Sequence, residues 1–84
     1  MTEKRWFVYI LQCADGTLYT GITNDLDRRL KAHNAGTASK YTRVRQPVAM
    51  VYQEEIDTKG NALRRELQIK SMSRQQKMDL LNNK

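Results

Sequence analysis

The chain has 84 residues, of which 39% are hydrophobic and 29% are charged, and its formal net charge is +6. This length allows one small hydrophobic core, so we expect residues 1–84 to form a single domain, and the composition excludes wholesale disorder. The positive charge is concentrated in residues 24–47 and 64–84, where six Lys or Arg against two Asp or Glu give +4 in each segment. Such a domain attracts polyanions, although a solvated, soluble surface explains the same charges.

The cysteine content and the N-terminal segment indicate the compartment. Cys13 is the single cysteine, so it forms no internal disulfide and nothing in the sequence requires an oxidising environment. No apolar run is long enough for a signal peptide or a membrane span. We therefore expect a cytoplasmic protein without membrane contact.

The first predicted element is a β-hairpin. Residues 6–13 and 17–22 are rich in β-branched and aromatic residues, and Ala14-Asp15-Gly16 supplies the turn between them. A loop of these three residues pairs position 11 with 19 and position 9 with 21. This register places Tyr9 and Tyr19 on the same face of the sheet, whereas a two-residue Asp-Gly loop would change the pairing.

A helix and a long loop are predicted next. Asn24 has the character of an N-cap, and Asn34-Ala35-Gly36 is typical of a helix C-terminus. Residues 36–47 form a loop by composition, and twelve residues is long for a connection in a small domain. Basic and aromatic side chains alternate in this loop, which suits phosphate contact and base stacking as well as plain solubility. The residues concerned are Lys40, Tyr41, Arg43 and Arg45.

The helical wheel of this first helix distinguishes its two adjacent arginines. Leu26 and Leu30 define the buried stripe, and Arg29 and His33 border it at i and i+4. Arg28 falls on the opposite side and is expected to face solvent. Arg29 and His33 therefore share one face that is close to the core.

The second half of the chain is predicted to contain a third strand, Val48 to Ile56, and two helices. The first of these helices runs from about Gly60 to Ser71, behind a cap at Asp57 or Thr58. Ser73 and Gln76 form a capping-box pattern that opens a third short helix, with Met78 and Leu81 turned inward.

The order of elements is therefore β-β-α-β-α-α. It predicts an α/β (α+β) fold in which a small three-stranded sheet, mixed or antiparallel, is flanked by helices. In the helix from Gly60 to Ser71, Leu63 and Leu67 are the expected buried stripe, with Glu66 and Lys70 beside it.

Two tyrosine motifs and three later residues resemble the GIY-YIG nuclease family, in its small single-domain bacterial form. Phe7-Val8-Tyr9 stands where that family has Gly-Ile-Tyr, and Tyr19-Thr20-Gly21 stands where it has Tyr-Ile-Gly. The family carries an arginine, often with a histidine one turn later, on the next helix, and a glutamate on a later helix. The matching residues here are Arg29, His33 and Glu66.

The resemblance implies a metal-dependent endonuclease that hydrolyses phosphodiester bonds in DNA, with roles in repair or recombination. Glu66 is the implied ligand of one hard divalent cation, Mg²⁺ or Mn²⁺, and Arg29 is the implied stabiliser of the transition state. Tyr19 is assigned to activating water, Tyr9 to orienting water or phosphate, and His33 to phosphate contact or proton transfer. One histidine and one cysteine are too few for a four-ligand zinc cluster.

Other interpretations stay open. The chain is alternatively a nucleic-acid-binding module that no longer turns over, or the nuclease subunit of a complex in which another protein supplies specificity. DNA is the expected partner and RNA is a second candidate, with Lys70 as a further nucleic-acid contact. In purely structural terms, the strand tyrosines pack in the core and Glu66 pairs with Arg65 or Lys70.

Overall fold

The computed structural model describes residues 5–82. Its three strands form one antiparallel sheet in the order β2-β1-β3. The predicted β-β-α-β-α-α order and the three-stranded sheet are confirmed, with one additional turn of helix before the third strand. The elements are β1 (Trp6–Gln12), β2 (Leu18–Thr23), α1 (Leu26–Asn34), α2 (Lys40–Arg43), β3 (Ala49–Ile56), α3 (Lys59–Lys70) and α4 (Arg74–Asn82).

The β1–β2 hairpin has the predicted register. Leu11 pairs with Tyr19 and Tyr9 pairs with Gly21, so the two tyrosines share one face of the sheet. The turn is closed by a hydrogen bond of 2.8 Å from the Cys13 N–H to the Thr17 carbonyl. Gly16 has a φ of +84° in this turn, a conformation that residues with a side chain rarely adopt.

The central strand β1 contributes to a hydrophobic core on each face of the sheet, because successive side chains of a strand alternate. On one face the core is covered by α3 and α4 and contains Val8, Ile10, Tyr52, Ala62 and Ile69. On the other face, Leu26 and Leu30 of α1 cover a core of Tyr9, Leu11, Cys13 and Val48. The stripe predicted for α1 is therefore confirmed, and the two tyrosines lie beneath α1.

The N-cap of α1 is Asp25, and the prediction of Asn24 is wrong by one residue. The Asp25 carboxylate accepts a hydrogen bond of 3.1 Å from the Arg28 N–H. Strand β2 continues through Thr23, whose hydroxyl accepts a hydrogen bond of 3.0 Å from the Asp25 N–H. The chain is thus still extended at Asp25, with φ −149° and ψ 95°, as an N-cap requires.

The segment predicted as a loop over residues 36–47 contains the one-turn helix α2, so this prediction is wrong in part. The Ser39 hydroxyl caps the turn by accepting a hydrogen bond of 3.1 Å from the Tyr41 N–H. Thr42 in the same turn is completely buried. One turn is too short to show a hydrophobic period, so the composition of the segment predicts only a loop.

Helix α3 buries a different face from the predicted one. Leu63 and Leu67 are 42% and 67% exposed, whereas Ala62 and Ile69 are fully buried. Ala62 and Ile69 pack against Val8, Ile10 and Tyr52 of the sheet. At the edge of this contact the Arg65 guanidinium binds both carboxylate oxygens of Glu54 on β3, at 2.9 and 3.2 Å.

The capping box of α4 forms as predicted. The Ser73 N–H donates to Gln76 Oε1 at 2.8 Å, and the Gln76 N–H donates back to Ser73 Oγ at 3.1 Å. Leu81 packs against the core on the α3 side, together with Leu80.

Candidate active site

Three buried side chains from three different elements form a continuous hydrogen-bonded chain, which we call the buried relay: Tyr9 of β1, His33 of α1 and Thr42 of α2. The Tyr9 Oη atom lies 2.8 Å from His33 Nε2, and His33 Nδ1 lies 2.8 Å from Thr42 Oγ1. The three residues are 2%, 1% and 0% exposed. A buried polar cluster of this kind is stable only because each member has a partner.

The ionisation of the relay is controlled by burial. Burial raises the pKa of Tyr9, electrostatic interaction with Tyr19 and Glu66 raises it further, and Arg29 acts in the opposite direction. Burial also lowers the pKa of His33, and the positive charge of Arg29 adds to this effect. Both groups are therefore neutral at pH 7.

Three partly exposed residues lie around the relay, and we call them the rim: Tyr19, Arg29 and Glu66. The Tyr19 ring packs edge-on against His33, with 5.2 Å between the ring centroids. All three rim residues influence the pKa of Tyr9 electrostatically, so they lie near its hydroxyl. The fold thus brings together the five residues expected from the sequence, in two layers.

The buried layer restricts what His33 can contact. Both ring nitrogens are already bonded, Nε2 to Tyr9 and Nδ1 to Thr42, and the side chain is 1% exposed. A direct contact of His33 with phosphate would require this arrangement to open. The rim residues, in contrast, are partly exposed, and Glu66 is exposed over 16% of its side chain.

Glu66 is the carboxylate of the rim. Its Oε2 atom lies 3.3 Å from the Lys70 ammonium, and its side chain is 16% exposed. Arg65, the other predicted partner, binds Glu54 instead. Lys70 therefore lies beside Glu66 and is half exposed, with 50% of its side-chain surface accessible.

Among the described residues 5–82, no three or more His, Cys, Asp or Glu side chains cluster closely enough to hold a metal ion. Mg²⁺ is nevertheless commonly held by one or two carboxylates, with water and substrate phosphate oxygens completing its shell. The single carboxylate of the rim fits such an ion, and Glu66 would be its protein ligand.

The nucleic-acid contacts predicted between residues 40 and 45 fall into two groups. Tyr41 stacks on Tyr19 with 5.9 Å between centroids, and the Arg45 guanidinium lies 3.9 Å from the centre of the Tyr41 ring. Arg45 also binds Asp15 at 3.1 Å, so Tyr41 and Arg45 brace Tyr19. Lys40 and Arg43 are exposed on the same short helix.

A polar cleft of ≈ 300 Å³ adjoins the rim at the start of α1. Arg29 lies in its wall, and so does Arg28, which the helical wheel predicts to face solvent and which is exposed. The two arginines therefore face the same cleft from adjacent positions. Its lining residues are Thr23, Asn24, Asp25, Arg28, Arg29 and Ala32.

Gly21 is required by close contact with Tyr9. A Cβ atom at this position would lie 2.5 Å from Tyr9 Oη and 2.7 Å from Cζ, well inside van der Waals contact. The tyrosine ring therefore crosses the backbone of β2 directly over Gly21 on its way to His33. The sequence marks this glycine through the motif, and only the structure gives the physical reason for it.

We expect Gly21→Ala to lower the free energy of unfolding by about 1–3 kcal/mol, because Tyr9 must leave its site and its bond to His33. Gly60→Ala in α3 is the matched control, since a Cβ there meets nothing within 4 Å. The control is expected to stabilise the protein by up to about 1 kcal/mol. Urea denaturation of both variants checks this, and equal stability of Gly21→Ala and the wild type would contradict it.

Thr42 is the site residue that the sequence does not reveal. It lies nine positions after His33, across a helix end and a turn, so no periodicity connects the two residues. The available signal is Ser39, an N-cap type three residues before Thr42, which would indicate a helical turn in this segment.

Paired tyrosines on a hairpin, an arginine and a histidine on the next helix and a glutamate on a later one define a GIY-YIG catalytic domain. The family described as "GIY-YIG catalytic domain" matches residues 5–79. The chain therefore belongs to the GIY-YIG family, which is a nuclease superfamily.

Within this family, the relatives of the chain are small UPF0213 proteins. One from Staphylococcus saprophyticus is 50% identical over 76 residues, which is 90% of this chain and 93% of that protein. The solution NMR structure of the UPF0213 protein from Bacillus halodurans is 44% identical, has a TM-score of 0.63 and covers 95% of this chain and 85% of its own. A second NMR structure, of a protein from E. faecalis, is 38% identical and has a TM-score of 0.66. The match covers 98% of this chain and 88% of that protein.

None of the helices between residues 5 and 82 combines the length and the hydrophobicity that a membrane span requires.

Proposed function

We propose that this protein is a divalent-metal-dependent endonuclease that hydrolyses phosphodiester bonds in DNA. The observation that carries the proposal is the arrangement of the rim: Tyr19 packs against His33 of the buried relay, and Arg29 and Glu66 are near enough to influence the Tyr9 hydroxyl. Phosphodiester hydrolysis needs a positive group for the charge that develops on phosphate, a group that orients water and an oxygen ligand for a metal ion. The rim provides one side chain for each of these requirements.

Arg29 is the candidate for stabilising the transition state. A guanidinium is always charged and matches two phosphate oxygens at once. Arg29 is half-buried and lies in the wall of the polar cleft at the start of α1. Partial burial limits solvent screening, so its charge acts more strongly on a bound phosphate than a fully exposed arginine would.

The two tyrosines differ in what they are able to do. Tyr9 is buried, its pKa is raised, and its hydroxyl is bonded to His33, which suits a fixed orienting group. Tyr19 is partly exposed and is held between His33 and Tyr41. Tyr19 is therefore the better candidate for orienting and activating the attacking water.

Glu66 would hold the divalent ion, Mg²⁺ or Mn²⁺, and such an ion would supply positive charge at the phosphate. The Lys70 ammonium, 3.3 Å from Glu66, is positioned to contact phosphate oxygens next to this carboxylate. Lys40 and Arg43 would contact the DNA backbone from α2, where both are exposed. Arg45 would act mainly by holding Tyr41 in place.

The test is cleavage of a supercoiled plasmid in Mg²⁺ or Mn²⁺ by the wild type and by Tyr19→Phe. We expect nicking by the wild type and a loss of about 10²- to 10⁴-fold in Tyr19→Phe, the range for a group that assists proton transfer. Tyr41→Phe is the matched control, because it keeps the ring stacked on Tyr19 and removes only a peripheral hydroxyl.

Absence of nicking by the wild type on plasmid, single-stranded and branched DNA would refute the proposal. If the wild type then still bound DNA with a strong salt dependence, the binding module without turnover would be the better function. If Tyr19→Phe nicked DNA at the wild-type rate, the protein would still be a nuclease, but Tyr19 would not activate the attacking water.

A further inference from the structure

We propose that Thr42 is a positioning residue of the active site, which holds His33 in the tautomer that accepts a hydrogen bond from Tyr9. This inference rests on the proposed function for its catalytic consequence. Its structural part concerns the polarity of the buried relay and is measurable without any cleavage assay.

The polarity follows from counting protons along the relay. The Thr42 hydroxyl has one proton, and its Oγ1 atom lies within 3.4 Å of the Ser39 carbonyl, which can only accept. When that proton points to Ser39, Thr42 Oγ1 accepts from His33 Nδ1–H at 2.8 Å. A neutral imidazole with a proton on Nδ1 has none on Nε2. His33 Nε2 is then the acceptor for the Tyr9 hydroxyl at 2.8 Å.

The opposite tautomer leaves the Ser39 contact unmade. With the proton on Nε2, His33 would donate to Tyr9, and Thr42 would have to turn its only proton away from Ser39 to reach Nδ1. All three contacts are made together only in the Nδ1–H form. The Ser39 carbonyl keeps a hydrogen bond of 3.0 Å from the Arg43 N–H in either case. The Nδ1–H form is therefore favoured by one additional hydrogen bond, and because the relay is excluded from water, no solvent molecule replaces that bond in the other form.

Thr42 can perform this role because its own position is fixed from both sides. Ser39 caps α2, and the carbonyl of Thr42 accepts a hydrogen bond of 3.0 Å from the Arg45 N–H. The Asn34 side chain at the end of α1 binds the backbone of Val48 through two hydrogen bonds, of 2.9 and 3.1 Å. The two ends of the segment that carries Thr42 are thus tied to each other, at the end of α1 and just before β3.

The consequence for the site lies in the direction of the Tyr9 proton. With Nε2 as acceptor, the Tyr9 proton points into the protein, and the lone pairs of its oxygen are left for a group on the side of the rim. With the proton on His33 Nε2, the Tyr9 oxygen accepts from His33 and the Tyr9 proton points toward the rim. Thr42 therefore controls, through His33, whether Tyr9 presents an acceptor or a donor to the reacting groups.

The experiment uses the fact that His33 is the only histidine of the chain. Long-range ¹H–¹⁵N correlation spectra of the imidazole identify which nitrogen carries the proton, and no other ring contributes signals. The variants are Thr42→Val, which keeps the shape and removes the hydroxyl, and Thr42→Ser, which keeps the hydroxyl. Thr20→Val is the matched control, since Thr20 is also buried, at 4% exposure, but is adjacent to Tyr19 on β2 and so points to the other face of the sheet.

We expect the Nδ1–H pattern in the wild type, in Thr42→Ser and in Thr20→Val, and loss of that pattern in Thr42→Val. Plasmid nicking should fall about 10- to 100-fold in Thr42→Val, the usual cost of losing a group that orients a functional histidine, and should return in Thr42→Ser. A general loss of stability in Thr42→Val would not explain a selective return of activity in Thr42→Ser. Comparing these two variants therefore separates a positioning role from structural support.

An unchanged Nδ1–H pattern in Thr42→Val, or an Nε2–H pattern in the wild type, would overturn the inference. If Thr42→Val does not fold, Thr42→Ala gives the same reading, because it also lacks the hydroxyl. Absence of nicking by the wild type would refute the proposed nuclease function but not the structural role of Thr42. The spectra would still show whether Thr42 sets the tautomer of His33.

Discussion

Glu66→Gln is expected to reduce DNA cleavage by at least about 10³-fold, because a neutral amide replaces the one carboxylate of the rim. Glutamine keeps the size of the side chain and can still contact Lys70, which lies 3.3 Å from the carboxylate. The change therefore removes the negative charge needed to hold a hard cation and little else. The measurement is the initial rate of plasmid nicking as a function of Mg²⁺ and Mn²⁺ concentration.

Glu55→Gln is the control for this prediction. Glu55 is exposed on β3 and forms a surface ion pair with Arg5, so it carries the same charge away from the rim. We expect its nicking rate to stay within about twofold of the wild type, since surface ion pairs contribute little. If Glu66→Gln nicked DNA at the wild-type rate, Glu66 would not be the metal ligand, and the carboxylate would serve only to pair with Lys70.

Arg29→Ala is expected to lower the cleavage rate by about 10²- to 10³-fold, the usual cost of removing one group that stabilises a developing negative charge. Arg29→Lys should recover only part of the activity, because an ammonium keeps the charge and loses the two-pronged contact with phosphate. The rates are best measured in single turnover with saturating enzyme, which separates the chemical step from DNA affinity.

The adjacent Arg28 offers a closely matched control. Arg28 lines the same cleft as Arg29 but is exposed. Arg28→Ala should weaken DNA binding and reduce its salt dependence, with a single-turnover rate close to that of the wild type. If Arg28→Ala and Arg29→Ala had equal effects on that rate, the total positive charge of the cleft would matter and the position of Arg29 would not.

The two-layered site explains why these residues are expected to differ in their response to mutation. Tyr9, His33 and Thr42 are buried and bonded to one another, so changing one of them affects both stability and geometry. The rim residues are partly exposed, so changes there are expected to act on chemistry with less effect on folding. Comparing the unfolding free energy and the cleavage rate of each variant therefore identifies the layer to which a residue belongs.

The sequence by itself determined the two strands of the hairpin and the side chains that share a face within each strand. It left two possible registers, of which the structure shows the one with the three-residue turn. These features depend on neighbours in the chain: the alternation of side chains in β1 and β2, and a three-residue turn that pairs Tyr9 with Gly21. The i, i+4 spacing likewise placed Arg29 and His33 on the inner side of α1. Local periodicity is sufficient for these predictions because each one involves a single element or a single turn.

Only the tertiary structure decided which face of α3 is buried and what anchors His33. The leucine spacing pointed to Leu63 and Leu67, but Ala62 and Ile69 pack against the sheet, with the ion pair between Arg65 and Glu54 beside them. Thr42 reaches His33 because α1, α2 and β3 are held together by contacts between distant positions. Periodicity identifies an apolar face but not the surface against which it packs, and a hydrogen bond between elements leaves no spacing in the sequence.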